Sequence, residues 1–167
     1  GEVILPGEST DEVLLSSHVC HPSLCNDNLS GIALLSLLGR YLAGITHRFT
    51  YRLLFAPVTI GAICWLARNE SALGRIRHGL VVTLVGDSGP ITYKRSRRGD
   101  APIDRAFAQV LAQRAPHEIR DFEPYGYDER QFCSPGFNLP VGRLTRSPHG
   151  SYPEYHTSAD NMSLLDE

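Results

Sequence analysis

The chain has 167 residues, 42% hydrophobic and 20% charged, which fits one ordinary domain with a real core and excludes extended disorder. A formal net charge of -2 gives no electrostatic case for nucleic acid or an anionic membrane as partner. No apolar run approaches the ~20 residues needed to cross a bilayer, and no stretch reads as a signal peptide. Cys20, Cys25, Cys64 and Cys133 form no Cys-x-x-Cys pair, which argues against a Cys-rich structural zinc site. Reduced thiols in a cytoplasmic protein are the expectation.

The opening Gly1–Gly7 is strand-like, and Glu12–Ser17 reads as a buried strand running into His18. Asn26–Asn28 form a polar turn. Leu29–Ala43 follows, with Ile32, Leu35, Leu38 and Leu42 at helical spacing, Asn28 or Ser30 as cap and Gly44 as terminator. Phe49–Ala56 predicts a second strand, stopped by Pro57, and Ile60–Arg68 a helix. Gly79–Val85 predicts a third strand, ending at Gly86-Asp87. Lys94-Arg95-Ser96-Arg97-Arg98 is a short basic run, either a solvated loop or a contact for phosphate or carboxylate. Ile103–Arg114 is amphipathic, with Ile103, Phe107, Val110 and Leu111 on one side. Asp121–Gly150 is rich in proline and loops and reads as a cleft wall. Val141–Leu144 is a short strand within it, and Leu164–Glu167 reads as a helix start. Strands alternating with helices predict an α/β fold, a three-layer sandwich with a mainly parallel central sheet. One domain over residues 1–167, cut at both ends from a longer chain, is expected.

In such sheets function collects in the loops after the strand ends. His18, Asp27 and Asp87 all lie there, and His156 stands in Tyr155-His156-Thr157-Ser158-Ala159-Asp160. Two imidazoles and two carboxylates suit zinc, as one ion or a pair. Each residue alone has a plainer reading as a loop or turn residue; together they make the stronger case.

In this order and spacing, Asp27-Asn28-Leu29-Ser30-Gly31, Gly86-Asp87-Ser88 and the Tyr155–Asp160 stretch resemble the co-catalytic zinc aminopeptidases. That family includes the glutamate carboxypeptidase type. The resemblance runs from about Val13 to Leu165 and implies an aminopeptidase-like catalytic domain of the zinc-peptidase, phosphorylase/hydrolase-like fold. It implies His18, Asp27, Asp87 and His156 as zinc ligands, with Asp27 bridging two ions, and Asp160 supporting them. His18-Val19-Cys20-His21-Pro22 is similar to a subgroup tied to polysaccharide biosynthesis.

Two departures stand out. Cys20 holds the place of the usual Asp that orients the ligand imidazole, so His21 or a backbone carbonyl is left to serve, and His21 is itself a possible ligand. Pro57-Val58-Thr59-Ile60-Gly61 has Val58 where the family carries its glutamate general base. Such a base contributes about 10²–10⁴-fold. Glu123, Asp128 and Glu129 are substitutes within the wall, unless they are solvated loop charges. Tyr155 is the expected oxyanion donor, and Arg143 the expected partner of a substrate carboxylate; their alternatives are a packed aromatic and an ion pair. The expected function is zinc-dependent hydrolysis of a peptide or small amide, with a degenerate binding or scaffolding module as the alternative. A serine-nucleophile hydrolase is poorly supported, because no Gly-x-Ser-x-Gly elbow is present.

Overall fold

A computed structural model describes residues 1–114 and 116–166. Seven strands form one mixed sheet: β1 (Glu2–Leu5), β2 (Glu12–His18), β3 (Thr50–Ala56), β4 (Ile76–Val82), β5 (Ile91–Lys94), β6 (His117–Arg120) and β7 (Val141–Thr145). Their order is β1-β3-β2-β4-β7-β5-β6. The pairs β2–β3, β2–β4, β4–β7 and β5–β6 run parallel; β1–β3 and β5–β7 run antiparallel.

β2 lies between β3 and β4 and is buried along its whole length. Its apolar centre, Val13-Leu14-Leu15, does not alternate with polar residues, and the buried polar residues Glu12, Ser16, Ser17 and His18 lie at its two ends. Side chains still alternate between faces. Leu14 joins Leu54, Trp65, Leu66, Val81 and Phe132 in one core, while Val13 and Leu15 join Leu35, Leu42, Leu53 and Leu111 in another. The first core takes in helices α2 (Ile60–Arg68) and α4 (Glu129–Phe132). The second takes in α1 (Gly31–Ala43) and α3 (Pro102–Leu111).

Several boundaries differ from the sequence expectations. The third predicted strand, β4, ends at Val82 instead of Val85, because Leu84 turns left-handed at φ 48° and breaks the extended run. Asp87 therefore lies beyond a turn and not at the strand tip. Cys25–Ser30 forms a wide turn, so α1 begins at Gly31. α3 starts at Pro102, where the Asp104 carboxylate accepts from the backbone N–H of Ala101 and Ser96, and ends at Leu111 instead of Arg114. β5, β6 and α4, at four residues each, are too short to carry a period. Near the end, Met162–Leu164 makes one 3₁₀ turn; of the helix start expected at Leu164–Glu167, Glu167 lies outside the described residues. Among the described residues, no helix is long and apolar enough to cross a membrane.

Candidate metal centre

β2 ends on His18, and the turn that follows is tied back to the sheet by Asn28. Its Nδ2 donates to Ser17 Oγ at 2.8 Å and to the His18 carbonyl at 3.0 Å, and its Oδ1 accepts from Leu84 N–H at 3.1 Å. One amide thus binds the ends of β2 and β4 together. Gly31 is required behind it, because a Cβ there would stand 2.7 Å from Asn28 Oδ1, Ser17 Oγ and the Val82 carbonyl.

This stapling aims Asp27 at His18. Asp27 Oδ1 lies 2.7 Å from His18 Nε2, with both side chains fully buried. Asp27 Oδ2 lies 2.9 Å from His156 Nε2 and 3.8 Å from His21 Nδ1. Three imidazoles therefore converge on one buried carboxylate. Asp160, from the far end of the chain, fixes the carboxylate's backbone by accepting from the N–H groups of Asn26 and Asp27. Burial alone would raise the Asp27 carboxyl pKa. The His18 hydrogen bond and the imidazole charges outweigh it and hold the group below its ordinary range.

The set suits a divalent metal. Asp27 Oδ2 is buried, close to two ring nitrogens, and forms no hydrogen bond. Two overlapping groups of donor atoms lie within 4.8 Å of one another: His18, Cys20 and His21, and His21, Asp27 and His156. Burial holds the His21 pKa low, which favours the neutral imidazole a metal needs. His156, half exposed, opens the cluster to solvent.

The other predicted site residues fall as follows. Asp87 is not drawn into the cluster. Its Oδ1 accepts from Ser147 Oγ at 2.6 Å and Gly89 N–H at 2.8 Å, and its Oδ2 from Asn26 Nδ2 at 2.8 Å. It pins three loops together. Tyr155 stacks on His156 with ring centroids 3.9 Å apart, and its oxygen accepts from Tyr127 Oη at 3.3 Å. Arg143 is buried on β7, paired with Glu129 at 3.2 Å, its guanidinium 5.6 Å from the Tyr127 ring centre. Val58 packs against the core beside Cys20 and brings no polar side chain.

Two residues escaped the sequence reading, Thr83 and Tyr127, and a third, Asp128, was given there without being singled out. Thr83 Oγ1, 3.5 Å from His18 Nδ1, is the side chain that faces the outer nitrogen of the imidazole, the role left open by Cys20. Tyr127 stacks on the His18 ring at 5.1 Å. Asp128, named only as one of three wall carboxylates, is buried with Oδ1 unpartnered. Burial, helped by the charge of Glu129, pushes its pKa up to about 7. Of these, only the acidic pair Asp128-Glu129 left any signal in the sequence. All four cysteines are free.

A Clostridium acetobutylicum protein with a provisional polysaccharide-biosynthesis name and an aminopeptidase-like domain is 50% identical over 168 residues, covering all of this chain and 38% of the relative. A crystal structure of a protein provisionally named a peptidase, from the same organism, superposes with a TM-score of 0.96 at 49% identity, over 99% of this chain and 39% of the other. The zinc aminopeptidase of Bacillus subtilis shares the fold with a TM-score of 0.81 at 14% identity, over 99% of this chain and 44% of its own. The chain thus spans well under half the length of these relatives. The family model described as a domain of unknown function, DUF4910, matches residues 1–167, and the chain belongs to that family.

Proposed function

We propose that this chain is the metal-binding core of an aminopeptidase-like hydrolase acting on a peptide or small amide bond, on a three-layer α/β domain with a mainly parallel sheet. The observation that carries the reading is the convergence of three imidazoles on the buried Asp27 carboxylate, His18 on Oδ1 and His21 and His156 on the unpartnered Oδ2. His18, Asp27 and His156 would hold zinc, with His21 added to the expected set and Asp87 acting as a loop clamp. When bound, zinc supplies a Lewis acid that polarises a carbonyl and acidifies water toward a pKa of ~7.

The chain's own groups do the rest. Asp160 and Thr83 keep Asp27 and His18 in place. Tyr155 receives its hydrogen bond from Tyr127, which leaves its own proton free for a developing oxyanion. Burial raises the Tyr155 phenol pKa, so that proton stays in place. Asp128, buried with Oδ1 unpartnered and close enough to Cys20 for its charge to act on that thiol, is assigned the proton-accepting role that Val58 cannot perform, and its raised pKa suits such work at neutral pH.

Val58 favours a second reading, a binding module on a catalytic fold. Elemental analysis of protein purified without chelator tests the first reading. One or two zinc ions per chain, lost in His18→Ala and His156→Ala, supports the metal centre; no zinc sinks it. A screen with aminopeptidase substrates then separates enzyme from binder. Measurable turnover that falls about 10²-fold or more in Asp128→Asn, with zinc content unchanged, identifies the enzyme. Turnover appearing only in Val58→Glu identifies the binder.

A further inference from the structure

On the far side of Tyr127 from His18 lies a cavity of about 540 Å³, lined by Lys94, Arg143, His149, Tyr125 and Arg120 among others. Its innermost charges do not balance. Lys94 Nζ and Arg143 Nη1 share one oxygen of Glu129, at 2.7 and 3.2 Å, and all three side chains are at most 5% exposed. The other Glu129 oxygen accepts from Tyr127 N–H at 3.0 Å. Two buried cations thus face one buried carboxylate, but the Lys94 ammonium also donates to the carbonyls of Glu123 and Tyr125, so the open donor belongs to Arg143. At the mouth Arg120 pairs with Glu118 and Arg95 with Asp121, and the exposed carboxylate of Glu123 stands beside them in the lining.

Two buried polar atoms beside this excess charge have no partner, Arg143 Nε and His149 Nδ1. Buried donors are normally hydrogen-bonded, so Arg143 Nε–H lacks an acceptor, and His149 Nδ1 a partner, among the described residues. Burial lowers the Lys94 pKa against the opposing pull of Glu129, and the charge of Arg143 adds to the lowering.

We propose that this cavity is an oxyanion subsite, in which Arg143 and His149 receive a carboxylate or phosphate group of the substrate and the neighbouring Lys94 adds its charge. Arg143 offers Nε–H while Nη1 stays on Glu129. Tyr127 separates this subsite from the metal centre, with its ring 5.1 Å from the His18 ring and 5.6 Å from the Arg143 guanidinium. His149 meets the same tyrosine edge-on at 5.7 Å. The volume accommodates an amino-acid-sized group. The substrate class follows: an acidic peptide or amide, its anionic group held on one side of Tyr127 and its scissile bond on the other. This last step rests on the hydrolytic reading; the binding of the anion does not.

The test is therefore a calorimetric titration of metal-stripped protein with the α-methyl ester of N-acetylglutamate, its neutral isostere N-acetylglutamine methyl ester, and inorganic phosphate. Zinc content is measured separately on the untreated preparation. The expected result is at least about tenfold tighter binding of the acid than of its amide, a preference lost in Arg143→Met. Phosphate binding in place of the carboxylate, equally lost in Arg143→Met, supports the subsite and names phosphate as its source. Equal binding of acid and amide with no phosphate binding overturns it, as does a preference that survives Arg143→Met. The comparison of acid with amide in the unaltered chain decides the matter even if that variant does not fold. Absence of zinc with the acid preference intact would remove the hydrolase and leave the subsite standing.

Discussion

The sheet carries two buried clusters built around an arginine, and they are completed differently. On β3, Arg52 has every guanidinium nitrogen engaged: Nε and Nη2 on the two oxygens of Glu12 at 2.6 and 3.1 Å, Nη1 on Glu2 at 2.7 Å. Trp65 Nε1 closes the ring on Glu2 at 2.8 Å. Across the sheet on β7, Arg143 has one nitrogen on Glu129, a buried Nε with no partner, and a second cation, Lys94, on the same carboxylate. The first arrangement is complete within the chain and acts as a structural clamp between β1, β2 and β3. The second is completed only by something from outside, which is how a binding surface differs from a core.

That difference can be broken experimentally. Arg52→Met leaves buried Glu12 with only the more distant, half-exposed Arg75 at 3.7 Å and should cost about 3–5 kcal/mol, read by urea unfolding. Asp128→Asn probes the carboxyl beside the open cluster through the pH dependence of stability. Its pKa rises from 3.8 unfolded to about 7 folded, so the folded chain keeps a proton that the unfolded chain releases. Stability from this group falls as pH rises across that window, and Asp128→Asn should flatten the slope. An unchanged slope would show that Asp128 is not held as an unpaired buried acid. The smallest effect is expected for Arg143→Met, below about 1 kcal/mol, because Lys94 and Glu129 remain as a balanced pair. A loss as large as that of Arg52→Met would erase the distinction between the two clusters.

Much of the site was legible because its chemistry is local. His18, Asp27 and His156 stand in short polar stretches after apolar segments, and the structure brings all three together. Asp87 shared that local signature, yet the left-handed turn at Leu84 and three nearby donors, Ser147, Gly89 and Asn26, carry it into a loop clamp. Nothing near Asp87 in sequence announces Ser147. Thr83 was invisible for the same reason: a threonine at a strand end says nothing until β4 lies beside β2. The fold was legible where a period was long enough, as in α1 and α2. It was lost where elements ran to four residues, as in β5, β6 and α4, whose sequences Ile-Thr-Tyr-Lys, His-Glu-Ile-Arg and Glu-Arg-Gln-Phe hold no full repeat. The basic run from Lys94 had two readings. Lys94 turns inward to Glu129 while Arg95 and Arg98 stay at the surface.

His156 sits with its backbone in the left-handed region, at φ 57°, where a side chain other than glycine costs about 1 kcal/mol or more. Within the chain that cost is offset by the contact with Asp27 Oδ2 at 2.9 Å and the stack on Tyr155 at 3.9 Å. In chelator-treated protein, His156→Gly should therefore shift the thermal midpoint little. With zinc added the variant should fall well below the unaltered chain, because mass action on the folded state favours the chain that still has the imidazole. The melting curve then becomes a titration of the metal centre, and a residue nearly neutral to the empty fold is the one that makes it responsive.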